Sequence, residues 1–137
     1  MRMPTSLFAW IVRLGLLYIF FLVCFVLGSI AVAGAMPAGA TSEPGLVSTT
    51  TGLLIIAFAN VLVVAGLILS SRWKGWKLAI SVALAYYGAV TVLPQIETWY
   101  FLSSTTVSPG LLARLFVMGL PPAFLFVPLA VWVLGKR

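Results

Sequence analysis

Glu97 is the only acidic residue within an apolar stretch of this sequence, and Arg114 is the basic residue of the next such stretch. A carboxylate held in lipid can titrate, accept a cation or pair with a guanidinium. Little else in the chain offers chemistry. Glu43 is the second of two acids, Cys24 is the single thiol, and there is no histidine. That inventory lacks the groups for acid and base catalysis or for a metal centre, so neither an enzyme nor a cofactor is expected. One cysteine also excludes an internal disulfide. The formal charge of +6 comes from eight basic residues scattered singly, which build no patch able to track phosphates. A nucleic-acid partner is therefore not expected, and the basic residues are read as topological signals.

The elements that must carry Glu97 and Arg114 follow from composition. The chain is 63% hydrophobic and 7% charged, which places it in a lipid bilayer as a single transmembrane domain over residues 1–137. A spanning helix needs about 20 mostly apolar residues. Four runs meet that length, at residues 8–35, 52–71, 78–102 and 109–134, giving an all-α bundle of four transmembrane helices. The first run also has a secretory-signal reading, with Arg2 and Arg13 ahead of it and Ala31-Val32-Ala33 as an A-x-A cleavage pattern. Its apolar part, residues 14–35, exceeds the usual core of roughly 7 to 15 residues.

Arg2 and Arg13, then Arg72, Lys74 and Lys77, then Lys136 and Arg137 fall on one side of the bundle. Basic loops stay cytoplasmic, so both termini are expected inside a bacterial cytoplasmic membrane. The opposite side has the loop 36–51 with Glu43, and the uncharged loop 103–108. Trp10, Trp73, Trp76 and Trp132 mark the inner interface, and Trp99 with Tyr100 the outer one.

The third run opens with Ser81, Ala85 and Ala89 at four-residue spacing, a stripe expected to form a packing seam. The first run likewise turns small from Gly28 to Ala35. Helix breaks are expected at Pro94 and at Pro121 and Pro122, where the carbonyls of Val90, Val117 and Met118 lose their donors, and again at Pro128. Ser108 reads as the N-cap of the fourth helix, with Pro109 at its first position.

Counting 1.5 Å per residue inward from the outer helix ends puts Glu97 and Arg114 both roughly 8 Å deep. An ion pair between them is expected. The same counting puts Asn60, Gln95 and the carbonyls of Val117 and Met118 in one layer, about 10 to 14 Å deep. On a helical wheel Tyr86, Val90, Leu93 and Glu97 share one face of the third helix, while Thr91, Gln95 and Thr98 lie opposite. Asn60, Gln95, Thr91 and Tyr86 are thus the candidate intramembrane polar layer. Two polar faces make the third helix the expected most enclosed one, with a second subunit or further spans as neighbours.

The run from Thr91 to Phe101, the preceding loop from Arg72 to Lys77 and the segment from Leu111 to Phe116 resemble a family of uncharacterised bacterial multi-span membrane proteins. The resemblance covers most of residues 50–137 and carries no activity. It implies a chain that often continues into further spans. Two function classes follow from the residues themselves. The first is a non-enzymatic subunit or scaffold whose partners are the lipid bilayer and other copies or membrane subunits. The alternative is a small proton-coupled transporter or channel using Glu97.

Overall fold

The computed structural model describes residues 7–35, 49–101 and 108–136. Six α-helical segments follow in order: α1 (Leu7–Ser29), α2 (Thr49–Ser70), α3 (Gly75–Tyr87), α4 (Leu93–Phe101), α5 (Pro109–Met118) and α6 (Val127–Val133). A 3-10 turn, Ile30–Val32, extends α1. Two π-helical turns, Gly88–Val92 and Pro122–Phe126, join α3 to α4 and α5 towards α6. No strand occurs among the described residues. These segments compose four helices long and apolar enough to cross a membrane: Leu7–Val32, Thr50–Ser70, Gly75–Phe101 and Pro109–Val133. Each lies within a few residues of its expected run. Arg2, Glu43, Arg137, most of the loop 36–51 and residues 102–107 lie outside the described residues.

Local sequence accounts for the helix ends. Ser108 accepts a hydrogen bond from the Leu111 N–H at 3.2 Å, and Pro109 occupies the first turn, as expected. At the other end of the fourth span, Gly135 takes φ +75°, which lets a Schellman motif close the helix. The Gly135 N–H donates to the Trp132 carbonyl at 3.1 Å and the Lys136 N–H to the Val131 carbonyl at 3.0 Å.

The two π turns share a position relative to proline. One ends at Val92, two residues before Pro94, and the other at Phe126, two residues before Pro128. A proline ring collides with the carbonyl four residues back and offers no N–H to it. Widening the preceding turn moves that carbonyl aside; accordingly the Leu93 N–H donates five residues back, to Gly88.

The core lies where α1, α2, α3, α6 and the second π turn meet. Leu17, Phe21, Val61, Ile68, Leu78 and Phe126 are buried there. Phe21 meets Phe126 edge to ring at a centroid distance of 5.1 Å. The outward faces remain apolar on all four spans, Ile19, Leu62, Leu84 and Leu125 among them, the pattern of helices surrounded by lipid tails. The fourth span is the most enclosed, with 33% of its apolar window buried against 28% for each of the others. This corrects the expectation for the third span. Its sequence put polar groups on two faces, but only α3 and the π turn above it contribute buried residues; α4 has none.

The seam expected from Ser81, Ala85 and Ala89 is also displaced. Ala85 and Ala89 are exposed, and the inward small residues are Ala79 and Ala83, two positions earlier. Four-residue spacing fits both stripes. The large neighbours Leu78, Val82 and Tyr86 decide between them by packing inward.

Candidate interhelical polar site and basic end

Adjacent tyrosines at the end of α3 reach in different directions. The Tyr86 hydroxyl donates to Asn60 Oδ1 at 2.8 Å, joining the third span to the second. Asn60 in turn donates from Nδ2 to the Ile56 carbonyl at 2.8 Å, so both ends of its amide are occupied. The Tyr87 hydroxyl donates to the Phe116 carbonyl at 2.9 Å, joining the third span to the fourth. That carbonyl adjoins Val117 in sequence but is not one of the three singled out from proline positions. Tyr18 adds a third bridge, from its hydroxyl to the Leu54 carbonyl at 3.2 Å. Interhelical bonds of this kind are worth about 1 kcal/mol each.

Two glycines set the closest helix approaches. A methyl group on Gly28 would overlap the Met118 carbonyl, and one on Gly119 would overlap the Thr91 side chain. Gly28 belongs to the small-residue end of α1 expected to pack closely. It meets a carbonyl expected to lose its donor.

Thr91 is buried at 6% exposure, whereas Gln95 is only half-buried. Of the four residues expected in one polar layer, the structure thus joins Tyr86 to Asn60 and packs Thr91 against Gly119. Gln95 makes no side-chain hydrogen bond to a described residue. The reason is level: Asn60 is bonded to Tyr86, and Gln95 lies nine residues further along the same span, about 13 Å away towards its far end.

Glu97 and Arg114 are level but unpaired. The Thr91–Gly119 contact fixes the register of the antiparallel third and fourth spans. Six residues on from Thr91 is Glu97, and six back from Gly119 is Ala113, the neighbour of Arg114. Both charged side chains are exposed, and no ion pair forms between them within the chain. The π turn explains the difference from the expected pair. An α-helical wheel places Tyr86 and Glu97 on one face, but a turn of Gly88–Val92 closed over five residues delays the rotation by most of one residue step. Tyr86 is consequently buried, while Val90, Leu93 and Glu97 turn outward.

The opposite end of the bundle is basic. Lys136 binds the turn between α2 and α3 twice: its ammonium donates to the Ser71 carbonyl at 3.0 Å, and its carbonyl accepts from the Gly75 N–H at 2.7 Å. Gly75 adopts φ +58°, a backbone conformation that a side chain would strain. Lys77 Nζ sits 4.5 Å from the centroid of the Trp73 ring. Beside this turn, Gly75, Trp76, Ala79, Pro128, Val131 and Trp132 line an open apolar groove of about 390 Å³. Sequence reading assigned these tryptophans to an interface belt without indicating the groove. Two tryptophans flanking small residues on neighbouring helices were the available signal.

Cys24 is buried and unbonded, and no three of His, Cys, Asp and Glu gather among the described residues. No family model, curated protein or solved structure matches the chain.

Proposed function

We propose that this chain is a non-enzymatic integral membrane subunit of the bacterial cytoplasmic membrane, assembling through the outer half of its third and fourth spans. One observation carries this reading. Helices α4 and α5 bury no residue, yet they bear Glu97 and Arg114 outward at one level. A charge facing lipid is costly and in bundles is matched by a protein neighbour. A second copy related by a twofold axis along the membrane normal keeps every residue at its own depth. Glu97 of each copy then meets Arg114 of the other, a self-complementary contact. The basic residues Arg72, Lys74, Lys77 and Lys136 at the other end support cytoplasmic termini.

The internal polar groups favour this reading over proton-coupled transport through Glu97. Asn60 and both tyrosines are engaged in bonds between helices, which serves cohesion rather than a path. Charge reversal tests the assembly. Glu97→Arg should convert the complex to monomers in lipid nanodiscs, and Glu97→Arg with Arg114→Glu should restore it. A wild-type chain that is monomeric at every lipid-to-protein ratio, or a double variant that stays dissociated, would overturn the proposal.

A further inference from the structure

The groove at the basic end has the features of a lipid site. It is a concavity near the lower limit of ligand-pocket volumes, which run from about 300 to 1,000 Å³. Its deeper walls, Ala79 and Pro128, each lie four residues from its rim at Gly75 and Trp132. It therefore descends about 6 Å along the helices from the turn towards the membrane interior. Its lining suits hydrocarbon, and its flanking indoles suit the boundary between acyl chain and headgroup.

The charge around the mouth is of one sign. Lys74 precedes Gly75 in sequence, Lys77 follows Trp76, and Lys136 is bonded to Gly75 through its backbone. Arg72 completes the set. The lone acid of the described residues, Glu97, lies towards the far end of the third span. The Arg72 and Lys74 side chains are exposed and make no hydrogen bond or ion pair to a described residue, which leaves their charge available to a ligand. We infer that this groove is a binding site for an anionic phospholipid, with an acyl chain along Ala79 and Pro128 and the phosphate headgroup held by Arg72 and Lys74. Basic residues beside a membrane-facing groove recognise such headgroups through charge. The zwitterionic lipid offers the same hydrocarbon without net charge, so the headgroup supplies the selectivity.

Native mass spectrometry of the full chain in detergent, titrated with phosphatidylglycerol and separately with phosphatidylcholine, tests the site. The wild type should retain phosphatidylglycerol in preference. Arg72→Gln with Lys74→Gln should reduce that preference about tenfold or more, whereas Arg13→Gln, on α1, which lines no part of the groove, should leave it intact. Trp76 and Trp132 are 75% and 56% exposed, so replacing both with Ala should spare the fold while weakening retention of either lipid. Far-UV circular dichroism and melting temperature verify that each variant remains folded. Equal wild-type retention of the two lipids would overturn the assignment. So would a preference unchanged by the Arg72 and Lys74 substitutions, or one lost equally with Arg13→Gln. Because the lipid readout is independent of the oligomeric state, it can fail without the assembly failing.

Discussion

The two halves of this bundle are built differently. Towards the basic end, α3, α6 and the inner part of α2 interlock around Phe126, Ile68 and Leu78, each less than 2% exposed. Towards the other end, α4 and α5 contain no buried residue, and α2 buries none before Ala57 among its described side chains. Thr91 on Gly119 and Gly28 on Met118 mark the level where one arrangement gives way to the other. The inner half is satisfied by its own packing. Among the described residues, the outer half presents two exposed charges and broad apolar faces.

Substitutions should separate the halves by the size of their effect on unfolding in bicelles. Phe126→Ala removes a ring from the closed core, and should cost about 3 to 5 kcal/mol. Gly28→Ala drives a methyl into backbone at the boundary, with an expected cost of about 1 to 3 kcal/mol. Tyr86→Phe leaves the packing but removes the bond to Asn60; a double-mutant cycle with Asn60→Ala should report about 1 kcal/mol of coupling. Ile96→Ala, on the outward face of α4, should change monomer stability by no more than about 0.5 kcal/mol. A core-sized loss at Ile96, or a negligible one at Phe126, would erase the distinction between the halves.

Much of the scaffold was legible because its causes are local. Run length gave the four spans, and Ser108-Pro109 gave the start of the fourth. An intramembrane Asn implied a partner, although depth counting chose Gln95 where the structure uses Tyr86. The candidate pair at Glu97 and Arg114 was legible in level and not in direction. Level depends on rise, which proline changes little, whereas direction depends on accumulated rotation, which one widened turn resets. The small stripe failed for a related reason: Ala79 and Ala83 share the spacing of Ser81 and Ala85, and only tertiary packing chooses between them.

The widened turn at Gly88–Val92 makes the third span adjustable by insertion and deletion. Dropping one residue there would remove the delay together with the residue that causes it, so everything beyond would keep its facing while the tyrosine bridges and the interlocked half below kept their places. A change of one residue in length is thus absorbed at this turn, and chains that differ by a single codon there present the same outer surface on the same foundation.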